Sequence, residues 1–132
     1  MSQFILDEQI DVDLVLIPIQ RWATAQRITD LRPDERILDD RIPTLLVTLN
    51  EPTFITIDFD FWDAEWLNPN YCVLFFALRK DQQSMIPGLL RTLLRKREFA
   101  TRASRMGKVV RISKDGIEYL QFRNRERKVV PW

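Results

Sequence analysis

The fold class is decided by the stretch TFITIDFDF at residues 53–61. Residues 53–57 are β-branched or aromatic, which favours a buried β-strand. Asp58 and Asp60 follow that strand directly. In sheets whose strands run parallel, ligands bind at the carboxyl ends of the strands. The stretch therefore predicts a central strand that ends in an acidic, functional edge.

Other apolar segments extend this pattern along the chain. Phe4–Leu6 is a short apolar run followed by Asp7 and Glu8, and residues 71–78 are almost continuously apolar, as in a strand buried on both faces. Residues 24–31 are predicted as a further strand. Helices are predicted at residues 10–22, 33–49 and 81–106, with interruptions at Pro18, Pro43 and Pro87. Alternating strands and helices predict an α/β fold with three layers, in which helices flank a central, mainly parallel sheet.

The C-terminal part of the chain predicts a β-hairpin. Lys114-Asp115-Gly116 separates two apolar-rich runs at residues 108–113 and 117–122, as a tight turn separates paired strands. Residues 123–132 are predicted only as a basic tail. The sequence therefore predicts a single domain over residues 1–132, whose basic part, residues 81–132, is a helix plus a hairpin.

Composition excludes several kinds of site. The 132 residues include one cysteine and no histidine, which excludes an internal disulfide, a Cys-rich zinc site and catalysis by a histidine-activated nucleophile. No apolar run approaches the roughly 20 residues that span a bilayer, so no membrane partner is expected. The N-terminus lacks the pattern of a signal peptide, and we expect a cytoplasmic protein.

Charge is divided unevenly between the halves of the chain. Residues 1–66 carry 14 acidic and 5 basic side chains, a net −9, whereas residues 67–132 carry 5 acidic and 15 basic side chains, a net +10. Such asymmetry favours an anionic partner for the basic half. The alternative is that the halves attract each other or are simply solvated surfaces.

Acidic residues lie where the predicted strands end. Asp7 follows the first strand, Asp58 and Asp60 follow residues 53–57, and Asp34 follows Pro33 at a predicted helix start. Converging carboxylates repel one another, and Mg²⁺ or Mn²⁺, which prefer oxygen ligands, would remove that cost. Such a site suits phosphodiester hydrolysis. Each acid taken alone also has a structural interpretation, since acids cap helices and stay solvated.

Three motifs resemble those of PIN-like domains. FILDEQ at residues 4–9 is similar to the family's opening strand followed by LDEN. PDERIL at residues 33–38 resembles its D-x-x-I-L helix start, and TIDFDF at residues 56–61 resembles its T-x-D-x-D-F strand end. Their order is similar to that in short PIN-like proteins related to toxin–antitoxin ribonucleases. The resemblance covers residues 3–80.

The resemblance implies a PIN fold and an endoribonuclease that depends on Mg²⁺ or Mn²⁺. The metal ligands would be Asp7, Asp34 and Asp58, with Asp60 as a further catalytic residue. It also implies the toxin of a toxin–antitoxin pair, with an antitoxin protein as partner. The sequence departs from the pattern at Gln9, where Asn is usual. Whether other acids join the metal site is left open for Glu8, Glu35 and Asp63.

The basic half supplies candidate contacts to the RNA backbone. These residues are Arg91, Arg95, Lys96, Arg97, Arg102 and Arg105. Solvated helix faces are the alternative interpretation. Trp62 and Trp66 are candidates for base stacking, with packing in the core as the alternative.

Two other functions fit parts of the same pattern. One is a catalytically inactive PIN-fold module that binds nucleic acid or protein. The other is a receiver domain, which needs a lysine at the end of a late strand, whereas Lys108 begins its strand. We also expect a homodimer, because the tryptophans supply abundant aromatic surface. They are Trp22, Trp62, Trp66 and Trp132.

Overall fold

The computed structural model describes residues 3–132, apart from the side chain of Arg125. Its strands are β1 Phe4–Leu6, β2 Ala25–Arg27, β3 Thr53–Thr56, β4 Cys72–Phe76, β5 Lys108–Ser113, β6 Gly116–Gln121 and β7 Asn124–Val130. Its α-helices are α1 Ile17–Gln20, α2 Ile28–Leu31, α3 Ile42–Leu46, α4 Ile86–Leu93 and α5 Arg102–Arg105. A π-helical turn, Val12–Leu16, precedes α1, and four 3₁₀ segments lie at Asp39–Arg41, Phe59–Phe61, Ala64–Trp66 and Lys80–Met85.

The strands form one sheet in the order β2-β1-β3-β4-β5-β6-β7. Pairing is parallel from β2 to β5 and antiparallel from β5 to β7. The prediction of a mainly parallel sheet in an α/β protein is confirmed. The order β2-β1-β3-β4-β5 is the doubly wound order in which the chain changes direction between β1 and β3. A crevice at this switch point, outside the carboxyl ends of the strands, is where such folds bind ligands.

Both faces of the sheet are covered by apolar side chains. Successive strand residues point to opposite faces. Leu6, Ile55 and Leu74 pack into one cluster with residues of α1 and α4. Ile5 and Phe54 pack into a second cluster, which includes Ile42, Leu45 and Leu46 of α3. The alternation explains why residues of one strand divide between two separate clusters.

The C-terminal hairpin is confirmed, and a further antiparallel strand follows it. Lys114 and Asp115 connect β5 to β6, with Ser113 paired to Gly116. The tail was predicted only as basic, but it forms β7 and pairs with β6. Residues 125–128 of β7 are all charged, so this strand lacks the alternation of apolar and polar residues by which a strand is recognised in sequence. Such charges are typical of an edge strand, where they discourage pairing with another chain.

The predicted helix at residues 33–49 is wrong at its start. Residues 32–38 are irregular, and the helical segment begins at Asp39 and becomes α3 at Ile42. Pro43 does not interrupt this helix but occupies its first turn, where a missing N–H costs nothing. Both Pro33 and Pro43 suit a helix start. Burial decides between them, because Ile42 is 2% exposed whereas Leu38 is 52% exposed.

The other predicted helices also differ in extent. Residues 10–22 contain the π-helical turn and α1, and Pro18 lies in the first turn of α1. Residues 81–106 are not one helix, because α4 ends at Leu93 and a second short helix, α5, begins after Thr101. The hydroxyl of Thr101 accepts a hydrogen bond from the Ser104 N–H and so caps α5. Residues 24–31 divide into β2 and α2.

Candidate functional site

Asp7 is a buried carboxylate at the carboxyl end of β1. Only 4% of the residue is exposed to solvent. One carboxylate oxygen accepts from the Glu8 N–H at 2.8 Å, and the other accepts from the Thr56 hydroxyl at 2.7 Å. Burial is the largest effect and raises the pKa of Asp7 despite these two hydrogen bonds. Asp7 is therefore fixed in orientation but costly to keep ionised.

Thr56 connects the ends of β1 and β3. It is fully buried, and its hydroxyl accepts from the Asp58 N–H at 3.0 Å while donating to Asp7. Asp58 in turn accepts from the Asp60 N–H at 2.9 Å. Thr56 thereby links the Asp7 carboxylate to the backbone of Asp58 at one edge of the sheet. Thr56 was not predicted as part of the site, although it lies within the TIDFDF motif.

Asp39 joins these acids from the start of the segment that leads into α3. Loss of hydration raises the pKa of Asp39, and the negative charges of Asp58, Glu8 and Asp60 raise it further. The negative charge of Asp39 also contributes to the raised pKa of Asp7. We call the set Asp7, Glu8, Asp39, Asp58 and Asp60 the acidic cluster.

Asp34 lies outside the acidic cluster. It is exposed in the irregular segment between α2 and Asp39, and it does not open a helix as predicted. Glu35, in the same segment, lies 3.9 Å from the guanidinium of Arg41. Asp63 is exposed and caps a 3₁₀ turn by accepting from the Glu65 N–H. Asp39, and not Asp34, is therefore the residue of this segment whose pKa is raised by the neighbouring acids.

The acidic cluster has no basic partner among the described residues. The ion pairs formed within residues 3–132 join other side chains: Arg27 with Asp30, Arg41 with Glu35, Arg79 with Asp81, and Arg127 with Glu118. No cation of the described residues therefore forms an ion pair with the acidic cluster.

In the part of the chain that the structure describes, no three acidic or cysteine side chains lie close enough to hold a metal ion.

The predicted RNA-binding residues lie away from the acidic cluster. Arg105 is 1% exposed, and its guanidinium donates to the Thr53 hydroxyl at 2.9 Å and to the Phe99 carbonyl at 3.0 Å. It also donates to the Gln3 side chain. These contacts lie at the amino ends of β1 and β3, opposite the acids. The nearby Arg102 donates to the Asn50 carbonyl.

The four cations of α4 and its continuation also lie toward that opposite edge. The Arg91 guanidinium lies 5.2 Å from the ring centre of Trp22, which packs against Phe4 at the start of β1. Residues 94–99 lead from α4 to Phe99, which contacts Arg105. Arg95 and Arg97 are exposed, and Lys96 is half-buried. These residues do not border the acidic cluster.

The tryptophans are mostly packed within the chain. Trp66 lies 4.3 Å from Phe61 between ring centres, and its indole N–H donates to the Asp60 carbonyl. Trp62 packs against the second core cluster, and Trp132 donates to the Ser113 carbonyl. The exposed aromatic residue beside the acids is Phe59, at 66% exposure, which was not predicted. The homodimer stays a prediction.

The raised pKa of Asp7 predicts a pH-dependent stability. The folded protein binds the Asp7 proton more tightly than the unfolded chain does, so this proton stabilises the fold. The stabilisation is complete below the ordinary pKa of 3.8 and is lost as the pH rises through the raised pKa. Asp7→Asn should therefore stabilise the metal-free protein at neutral pH and flatten this pH dependence. Thermal melts across pH would show it, with the exposed Asp34→Asn as matched control. A destabilised Asp7→Asn protein would contradict the prediction.

No protein-family model, curated protein or solved structure matched this chain in the comparisons. Among the described residues, no helix is long and apolar enough to cross a membrane.

Proposed function

We propose that this chain is a PIN-like, metal-dependent endoribonuclease that uses the acidic cluster. The observation that carries the proposal is an uncompensated set of carboxylates at the β1/β3 switch point, anchored by buried Asp7. The same edge is where doubly wound sheets bind ligands. The three-layer PIN arrangement and an RNA substrate are parts of this proposal.

The donor chemistry of the cluster suits Mg²⁺ or Mn²⁺. Both ions prefer carboxylate oxygens and retain waters. Asp7, Asp39 and Asp58 would hold the ion, while Thr56 orients Asp7 by its 2.7 Å hydrogen bond. The exposed carboxylates of Asp39 and Asp60 change rotamer rapidly and can turn toward an ion. When bound, the ion would activate a water and stabilise charge at the phosphodiester.

A cleavage assay tests the proposal directly. Purified protein should cut single-stranded RNA with Mn²⁺ or Mg²⁺ and should not cut it with EDTA. The same ions should raise the melting temperature, since a ligand at a hundredfold excess over its Kd stabilises by about 2.7 kcal/mol. Equal cleavage in EDTA would contradict a metal-dependent mechanism.

A second candidate is an inactive PIN-fold binding module. The observation that favours it is that no three acidic side chains of the described residues converge on a common point. This module would show neither cleavage nor a metal-induced rise in melting temperature. An absent metal response in both assays would therefore favour the module.

A receiver domain is less well supported. Its strand order is also β2-β1-β3-β4-β5, but Lys108 lies at the amino end of β5 and is therefore remote from Asp58. Lys108 donates to the Ser104 carbonyl and lies over Tyr119. Antitoxin and homodimer partners remain proposals that accompany the ribonuclease function.

A further inference from the structure

A row of side chains runs from the acidic cluster across the sheet. The strand register places Thr56 beside Phe75, Phe75 beside Arg111, and Arg111 opposite Glu118. Residues in register on neighbouring strands project from the same face. Since Thr56 donates to Asp7, the row begins at the acidic cluster. It leads from there to the basic hairpin.

Phe59 covers the second position of this row. Its ring lies 5.9 Å from that of Phe75 between centres, at an interplanar angle of 80°, and it shields Phe75, which is 4% exposed. Phe59 itself remains mostly in water, between Asp58 and Asp60. An exposed aromatic ring held by a neighbour is a surface on which a nucleic-acid base stacks.

A cleft lies at the third position of the row. Its volume is about 540 Å³, within the range of small-ligand sites. Arg111, Lys114 and Gln82 supply polar groups to its lining, and Met85 and Val129 supply apolar surface. Met85 and Val129 are 37% and 68% exposed, so this apolar surface is open to a ligand.

The charges of the cleft favour an anion. Glu118 also lines it, but its carboxylate lies 3.7 Å from the Arg127 guanidinium, which offsets its charge. Within the described residues, Arg111 and Lys114 form no ion pair at 4 Å or less. Asp115 is the remaining acid of the lining. The lining therefore holds two cations without an ion pair, Arg111 and Lys114, and one such carboxylate, Asp115.

We propose that this row is the track of a single-stranded RNA, with a base stacked on Phe59 and a backbone phosphate bound by Arg111 and Lys114. β3 and β5 are two strand spacings apart, about 10 Å. A trinucleotide covers that distance at about 3.4 Å per stacked nucleotide. The track rests on the proposed ribonuclease function for the chemistry at its acidic end, but RNA binding can be measured without cleavage.

The test is the affinity of the full chain for a short labelled oligouridylate in EDTA, followed by fluorescence anisotropy over a range of salt. Each lost phosphate contact should weaken binding about fivefold at 0.1 M salt, so the double variant Arg111→Gln/Lys114→Gln should bind about 25-fold more weakly. Its salt slope should fall by about 0.7 for each contact. The charge-matched control Arg21→Gln/Arg123→Gln removes two exposed arginines at the other edge of the sheet and should bind as the wild type does.

Phe59→Ala should weaken binding by roughly 5- to 150-fold, the effect of one stacked base, without changing the salt slope. Leu14→Ala, which removes another exposed apolar side chain (49% exposed), is its control and should have no effect. Circular dichroism would verify that each variant is folded. Duplex RNA should bind more weakly than the single strand, because its bases are already stacked.

Three results would overturn the track. The first is an equal loss of RNA affinity in the control pair, and the second is an unchanged RNA affinity in Phe59→Ala. The third is displacement of RNA by polyglutamate at equal charge concentration, which would indicate a surface for acidic protein segments. Weakened binding by the track variants in a protein that never cleaves RNA would support the track and reject the ribonuclease. If the protein cleaves RNA in a metal-dependent way while its RNA binding is unaffected by these variants, the ribonuclease is supported and the track is rejected.

Discussion

Arg105→Ala is expected to lower the free energy of unfolding by about 3 kcal/mol or more. The substitution leaves the Phe99 carbonyl and the Thr53 hydroxyl without their donor at a buried position. It also opens a cavity beside Phe4, because the guanidinium lies 5.2 Å from the centre of that ring. Chemical denaturation of the full chain would measure the loss.

Two companion variants separate the causes. Arg105→Met fills most of the space but restores no hydrogen bond, so its loss of stability should lie below that of Arg105→Ala. Arg97→Ala removes an exposed arginine near the same edge and should change stability by less than about 0.5 kcal/mol. If Arg105→Ala were as mild as Arg97→Ala, the buried hydrogen bonds of Arg105 to Thr53 and Phe99 would not contribute to stability as described.

Asp7→Asn and Asp39→Asn are each expected to lower metal-dependent RNA cleavage by about 100-fold or more. Changing even an outer partner of a metal ligand costs about 10- to 100-fold, and these residues are proposed as ligands themselves. Single-turnover rates at saturating Mn²⁺ would measure the effect. Asn keeps the size of each side chain and removes mutual repulsion, so each variant is expected to fold, which thermal melts would verify.

Asp34→Asn is the decisive comparison. The PDERIL motif assigns the ligand to Asp34, whereas the structure brings Asp39 to the other acids and leaves Asp34 exposed. We expect Asp34→Asn to retain wild-type cleavage. A large loss from Asp34→Asn with none from Asp39→Asn would mean that the motif is the better guide and that residues 32–41 rearrange around the metal.

The sequence determined the features that depend on neighbouring residues. Apolar and β-branched runs fixed β3 and β4, and Lys114-Asp115-Gly116 fixed the hairpin turn. The placement of Asp7 and Asp58 at the same edge of the sheet also followed from sequence, because parallel strands end at a common edge. These predictions required only local composition and one topological rule.

Tertiary structure alone decided which of several equivalent residues entered the site. Pro33 and Pro43 both suit a helix start, and burial of Ile42 against the sheet selected the later one, which moved Asp39 into the cluster. The sequence likewise gave no means to distinguish buried Arg105 from the exposed arginines beside it, because burial depends on contacts with Gln3 and Thr53 far along the chain. Local pattern determines which elements form. The packing of distant segments determines which side chains those elements bury and which they bring together.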